Sequence, residues 1–427
     1  MEITIVGYIV FLLVTPLVLF DIKYLFIAVI FLAPFQSTAI INISELVGVM
    51  PSYYAGMLFI LRYGIEKLYQ RDFLFTKTNL FLITFLCYAF IISVFNFFGT
   101  FTISIFTQLI YFIFCFLFYF FALDYLVKKG RKNLNLFIKS LILTFVIIIF
   151  LGYYMALFPN NLVTQILENR VDVGIHTSGG FWIFPRLKSV ALEPSMYALY
   201  LLPTMGLIIN MKYPFIAKLF IIFIGVVTGV LTNSSSFMVG VIFFVIFYFF
   251  FEGLIIPKEI RITSMKKIFL FLLLIVIVLI LYIIFTQPLK ILFLSFVDKI
   301  FDTDFSYATK HLVKHSSSQR YDALKESVQY LQDSFFLGKG FGYFRSKDLL
   351  GTLLANTGLI GFFLFLSFFA YNFIKIRFYL KNKNERTLIK GFTYYHLLFI
   401  FIALIAVPEI YYLFFWINIA IYESLLK

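Results

Sequence analysis

Charge is scarce in this 427-residue chain: Asp, Glu, Lys and Arg together make up 13% of it. Set against 62% hydrophobic residues and a mean hydropathy of +0.98, that scarcity excludes a soluble globule, whose apolar share is about 45–50%. Cysteine is nearly missing as well, and the two that occur, Cys87 and Cys115, both fall inside apolar runs. A disulfide framework or a thiolate metal site is thereby excluded, and the redox compartment cannot be read. There is no internal repeat, no low-complexity tract and no inverted symmetry of the kind that marks many secondary transporters. The first apolar run, Ile3 to Phe20, lacks a basic leader and a small-residue cleavage site, so it reads as a retained helix and not as a signal peptide.

What is present is a succession of apolar runs of roughly 18 residues or more, each long enough to cross a hydrocarbon core of ~30 Å. The expected fold is an all-α polytopic integral membrane protein with about 12–13 transmembrane helices, because a spanning segment must satisfy its own backbone hydrogen bonds. The spans are expected near 3–20, 24–41, 45–62, 79–98, 103–126, 138–157, 190–210, 215–231, 236–252, 267–287, 350–374, 390–407 and 409–425. Of the 35 Lys and Arg, 23 lie in segments that alternate with the rest as cytoplasmic loops would, which puts the N-terminus outside and the C-terminus inside. The net charge of +14 is thus a topology signal, and no nucleic-acid partner is implied. External connectors such as Phe98 to Thr102 and Asn233 to Ser236 carry no Lys or Arg.

Three regions follow: an N-terminal transmembrane bundle over 1–287 with a small extracytoplasmic loop at 158–189, a large extracytoplasmic loop over 288–349, and C-terminal transmembrane helices over 350–427. The large loop packs nine Lys and Arg, seven of the 21 Asp and Glu, and two of the four His into 62 residues. The small one adds Arg170, Arg186 and Lys188. Two basic loops on one face suit the handling of an anion there. Within the large loop Tyr321, Leu324, Val328 and Leu331 recur at helical spacing, with Asp322, Lys325, Glu326 and Asp333 on other faces, which predicts an amphipathic helix lying on the bundle or at the interface.

Arg186 sits at the external end of the seventh span, either as a snorkelling anchor or as a guanidinium fork for phosphate oxygens, with Lys188 beside it. Glu193, followed by Pro194 in an apolar segment, is a functional candidate by cost alone. It reads either as a base or partner of Arg186 or Lys188, or as the hydrogen-bonding prop of a proline-broken helix. Arg320 follows Ser316-Ser317-Ser318-Gln319 and belongs to a basic cluster with Lys310, Lys314 and Lys325. His311 and His315, four apart, would share a helix face; without a glutamate between them or a clear third ligand, a surface or proton-transfer role is preferred over zinc. The Gly338-Lys339-Gly340-Phe341-Gly342 run lacks the Gly-Lys-Ser/Thr ending of a nucleotide loop and reads as a chain reversal from which Lys339 reaches an anion.

In three segments the chain resembles the O-antigen polymerase and ligase superfamily. The first is Arg186 through Glu193-Pro194-Ser195, similar to that family's arginine followed by a Glu-Pro element. The second is Leu231-Thr232-Asn233-Ser234-Ser235-Ser236, which looks like its Thr/Ser hairpin. The third runs from Arg320 through the glycine run to Asn356-Thr357-Gly358-Leu359-Ile360-Gly361, which looks like its loop arginine, Gly-x-Gly turn and following helix. There are departures. Ser235 or Ser236 stands where many relatives have arginine, and Lys347-Asp348 stands where ligases carry a His-Asn pair, which favours a polymerase. The resemblance implies a GT-C-like glycosyltransferase of the bacterial cytoplasmic membrane, with its active site on the extracytoplasmic side. It would polymerise undecaprenyl-pyrophosphate-linked oligosaccharide repeat units, with a ligase or a lipid-linked glycan flippase as alternatives. It implies Arg186 and Arg320, then Lys339 and Lys188, as pyrophosphate ligands, and Glu193, His311 and His315, in that order, as candidate bases. No metal or other cofactor is called for, and a chain-length regulator and a flippase are the expected protein partners.

Overall fold

Long apolar stretches without interior polar breaks leave the backbone no partner but itself, and the described residues are accordingly mostly helical, at 79%. The computed structural model describes residues 2–44, 47–100, 103–170, 187–232, 234–254, 307–379, 386–407 and 410–427. In chain order the helices are α1 (Ile5–Val14), α2 (Ile22–Leu32), α3 (Pro51–Gln70), α4 (Lys77–Thr100), α5 (Ile103–Tyr125), α6 (Leu134–Leu157), α7 (Leu162–Leu167), α8 (Pro194–Asn210), α9 (Phe215–Leu231) and α10 (Ser235–Leu254). After the gap come α11 (Tyr307–Asp333), α12 (Leu349–Tyr379), α13 (Arg386–Ala406) and α14 (Leu413–Leu425). Among the described residues four helical runs are long and apolar enough to cross a membrane: Lys77–Asn96, Thr107–Leu157, Leu349–Ile374 and Thr387–Ala406. The second is 51 residues long, well over what a bilayer needs. Lys128, Lys129, Arg131 and Lys132 fall at its middle, where a π-turn (Leu126–Gly130) and a 3-10 turn (Arg131–Asn133) divide it into α5 and α6.

The expected span at 24–41 needs correction, since only Ile22–Leu32 is helical there. Pro34 has no N–H to continue the ladder, and the polar residues after it bond elsewhere. Gln36 N and Ser37 N both donate to Val190 O (2.9 Å), and Ala39 N donates to Asn169 Oδ1 (2.7 Å). The chain then runs as strand β2 (Ile41–Ser44), between β1 (Glu2–Ile3) and β3 (Val47–Val49), in an antiparallel sheet of order β1-β2-β3 with a register shift between Asn42 and Ser44. The fold is therefore helical with a small sheet, and the third span begins at Pro51, not at residue 45. Hydropathy does not distinguish a buried extended segment from a helix. The expected span at 267–287 lies outside the described residues.

Basic residues gather at one end of the bundle and fix it. Asp124, fully buried at the end of α5, accepts from Tyr63 Oη (2.6 Å) and Leu74 N (2.7 Å) and pairs with Lys67 (3.4 Å) and Lys128 (3.1 Å). Glu423, at the end of α14, accepts from Thr76 (3.2 Å), Thr78 and Tyr119, and Lys427 stands 3.5 Å away. Every buried carboxylate oxygen at this end thus has a donor, the condition under which charge is tolerated in a low-dielectric interior.

The helix pair that positions the candidate site is α8 and α13. Gly206 lies against Leu398 and Tyr394, Gly391 against Leu207 and Asn210, and Gly240 of α10 against both Leu202 and Ile402. Rising numbers in α8 meet falling numbers in α13, so the two are antiparallel. The start of α8 therefore stands beside the end of α13, opposite the basic end.

Candidate functional site

At that opposite corner Glu193 is the residue before α8, with extended backbone (φ −136°, ψ 155°) and Pro194 opening the first turn. Proline is pre-organised for this position, where its missing N–H has no helical partner to lose. The preceding residues Leu187–Glu193 are turns and bends, so Glu193 is not buried within a span as expected; it is exposed. Its backbone carbonyl accepts from Met196 N and Tyr197 N (both 3.1 Å), and its carboxylate takes the Ser195 hydroxyl at 3.2 Å. An exposed carboxylate at a helix N-terminus is stabilised by the helix dipole and accessible to a ligand.

Arg320 reaches the same corner from α11. Its Nη1 donates to Ile405 O at 3.1 Å, satisfying a carbonyl of the last turn of α13. That single bond is the only partner of the guanidinium among the described residues, and the side chain is half-buried. Tyr412, ahead of α14, extends its hydroxyl to Met196 Sδ (3.5 Å) and closes the corner between α8 and α14. Leu187 N donates to Leu231 O (3.2 Å), which brings the segment before α8 to the end of α9, close in sequence to the start of α10. Ser236 Oγ there is buried and makes no hydrogen bond among the described residues.

The other expected phosphate ligands are placed differently. Lys188 is engaged by Glu168 at 3.2 Å, and its pairing with Glu193, one of the readings open in the sequence, is not among the contacts of the described residues. Arg170, on the same loop, donates from Nη1 to Gln36 O (3.1 Å) and from its backbone N to Ser37 O (3.2 Å). Lys339 is separated from Arg320 by the C-terminal half of α11, roughly 20 Å at about 1.5 Å per residue, so the two cations do not converge. Arg186 lies outside the described residues. His311 and His315 fall four apart on α11, and their side chains are likewise outside the described set. Among the described residues no three His, Cys, Asp or Glu side chains cluster as a metal site.

The amphipathic helix forms, but with a different buried face. Ala323, Ser327 and Leu331 turn inward, and Tyr321, Leu324 and Val328 are exposed. The reason is close approach: Ser327 packs where a Cβ on Gly351 of α12 would come within 2.7 Å of its hydroxyl. Small residues at that contact bring two helices together, whereas larger apolar ones would hold them apart.

Beyond α11 the glycine run turns back. Gly338, Gly340 and Gly342 have φ of 97°, 104° and 91°, a region open to glycine. The turn docks on the kink of α12, where Gly358 has φ 63° and ψ −167°. Its N–H groups are tied to neighbouring elements. Gly338 N donates to Ser334 Oγ (2.9 Å), Lys339 N to Ala355 O (2.9 Å), Gly340 N to Asn356 O (2.9 Å) and Phe341 N to Ser93 Oγ (2.8 Å). Asn356 adds a double clamp, accepting from Phe344 N and donating to Phe344 O at 2.8 Å each. Tyr88 Oη donates to Leu337 O (2.7 Å), and Leu359 N to Phe336 O (3.0 Å). Asp348 then accepts from Gly351 N (2.6 Å) and caps α12.

The arrangement puts an exposed carboxylate at the start of α8 and a guanidinium on the adjoining end of α13; a carboxylate can accept a proton and a guanidinium can bind an anion. Sequence reasoning passed over the clamp of Asn356 and the α4 groups Tyr88 and Ser93; a buried asparagine beside glycines was the available signal for the first. It also passed over His396, buried in mid-α13 and stacked on Tyr422 at 4.4 Å, for which nothing in the local pattern stood out. The chain matches no protein-family model, and a search of curated proteins likewise gives no match.

Proposed function

We propose that this protein is a membrane glycosyltransferase that polymerises undecaprenyl-pyrophosphate-linked oligosaccharide repeat units on the outer face of the bacterial cytoplasmic membrane, the product being an O-antigen, capsule or exopolysaccharide. The reading includes a GT-C-like bundle of about 12–13 spans with its basic end in the cytoplasm. The observation that carries it is the corner at the far end from those basic residues, where Arg320, held by Ile405 O, and Glu193, held by Ser195, flank the same antiparallel helix pair. In this scheme Glu193 takes the proton of the acceptor sugar hydroxyl. Arg320 meets the charge that develops on the departing lipid pyrophosphate, with Arg186 assigned to the same task from the sequence resemblance. Lys188 and Arg170 hold the neighbouring loop in place. A polymerase is favoured over a ligase because Asp348, where ligases carry part of a His-Asn pair, is spent on capping α12.

The test is elongation of a defined lipid-pyrophosphate-linked repeat by the purified full-length protein, with the ladder of products read on a gel. Glu193→Gln and Arg320→Ala are each expected to lower the rate by about 100-fold or more, in keeping with loss of a proton acceptor or of an oxyanion ligand. Wild-type protein that leaves the repeat unelongated but moves it between leaflets of a vesicle would point to the flippase and overturn the proposal.

A further inference from the structure

We propose that the Ser334–Phe344 turn is a re-entrant loop of the outer leaflet, with Phe335, Phe336 and Leu337 presented to lipid chains. The proposal takes from the reading above only the cytoplasmic placement of the basic end, needs no glycan, and rests on depth, direction and hydrogen bonding.

Depth comes from the helices the turn touches. Tyr88, which binds Leu337 O, stands about 16 Å along α4 from Lys77 at the basic end. Gly361, where a Cβ would sit 3.3 Å from the Tyr88 ring, stands about 21 Å along α12 from Lys375. Both helices have spans long enough to cross the bilayer. With the basic end at the cytoplasmic surface and a hydrocarbon core of ~30 Å, both measures put the tip of the turn inside the core, beyond its midplane.

Direction agrees. Ser327 lies against Gly351, and Phe336 lies further along, against Leu359, so the end of α11 descends beside the first turns of α12. The chain then climbs back, through Gly338 and Phe344 at Asn356 and Ser346 N at Thr352 Oγ1 (3.2 Å), to Asp348. It goes down as a helix and returns as a turn within one leaflet.

Irregular backbone survives at membrane depth only where its polar groups are satisfied by protein or face a hydrated cavity. The N–H groups of the turn meet that condition. Its N–H groups from Phe335 to Phe341 all have partners, three of them on neighbouring α4 and α12, and so do those of Tyr343 and Phe344. A loop in bulk water would need no such provision. The side chains point to the same environment. Phe335 is 86% exposed, Phe336 51% and Leu337 44%, and the first two are held at φ 50° and 65°, conformations bulky residues avoid. Phe336 meets Leu359, which with Ile360 and Phe363 forms an exposed apolar band of α12, so the patch extends an apolar surface of a span long enough to cross a membrane. The polar face of α11, carrying Asp322, Glu326, Gln329 and Asp333, is exposed on the side away from Ser327 and α12. The helix thus divides a hydrated side from a lipid side.

The measurement is tryptophan emission from full-length Phe335→Trp and Phe336→Trp proteins in nanodiscs, with Trp182 and Trp416 of the parent subtracted. Two positions guard against one variant failing to fold, and size-exclusion profiles check each. The added emission is expected to be blue-shifted, to lose most of its intensity to lipids labelled with doxyl at mid-chain, and to be insensitive to iodide. Quenching by iodide, or by a headgroup-labelled lipid and not by the mid-chain one, overturns the proposal.

Discussion

Asn356 is the residue on which the turn beside α12 most depends, and its removal gives a sharp test of the packing. It is buried, with both arms of its amide on the Phe344 backbone at 2.8 Å. Asn356→Ala leaves an N–H and a C=O without partners in a part-buried place. Each such group costs about 1–3 kcal/mol when water cannot reach it, and partial exposure of Phe344 brings the sum to about 2–4 kcal/mol. Asn356→Asp sharpens the inference. One carboxylate oxygen still accepts from Phe344 N, but the other replaces the donor and faces Phe344 O, so the variant should be no more stable than the alanine one. The assay is equilibrium unfolding of purified protein in mixed micelles with increasing SDS fraction, followed by near-ultraviolet circular dichroism. If both variants unfold within about 0.5 kcal/mol of the parent, the range usual for a surface substitution away from any such feature, the clamp does not hold the turn and the reasoning fails.

Gly338→Ala places a Cβ 2.6 Å from Asn356 O and from Gly358 N, both backbone atoms, at a φ of 97°; a loss of about 2–4 kcal/mol is expected in the same unfolding series. Gly64→Ala, in mid-α3 with only the Phe121 ring 3.3 Å away, should be close to neutral by comparison. Asp124→Ala strips the buried Lys67 of its nearer countercharge and should destabilise by about 3–5 kcal/mol, whereas Lys129→Ala, at an exposed pair with Glu66, should change stability by less than about 1 kcal/mol. The Asp72 carboxyl is held below its ordinary value chiefly by its hydrogen bond from Lys128. A depressed carboxylate stabilises the fold above its unfolded pKa and loses that contribution as pH falls through the folded one. The unfolding midpoint should therefore drop below about pH 4, and Asp72→Asn should flatten that drop.

Much of the helical layout was legible because a spanning segment advertises itself by length: α9, α10, α12 and α13 begin and end within a few residues of the apolar runs. The stretch after Leu32 misled because its residues stay mostly apolar while leaving the helix, and Pro34 with Gln36-Ser37-Thr38 was the local sign that side chains and strands would take over the backbone's partners. On α11 the large residues Tyr321, Leu324 and Val328 dominated the pattern, yet Ala323 and Ser327 pack; hydropathy weighs transfer to oil and is blind to how closely two backbones approach. At the candidate site Pro194 was the local sign that the helix starts there, but hydropathy began the span at residue 190 and so drew Glu193 inside it. The union of Arg320 with the end of α13 was not, since 85 residues separate it from Ile405 and nothing local encodes the meeting.

The knot of hydroxyls around Glu423 has a consequence for how the chain is made. Thr78 and Tyr119 find their acceptor 345 and 304 residues later. At a synthesis rate of about 5–20 residues per second, α4 waits roughly 20–70 s after emerging before α14 arrives to complete it. During that interval the hydroxyl of Tyr119 must be borne by water, lipid headgroups or an insertion chaperone, and any fragment ending before Glu423 stays in that unfinished condition permanently. Completion of this knot is therefore timed by α14, and versions of this chain that stop short of it are expected to be targets of membrane proteolysis rather than weakened copies of the whole.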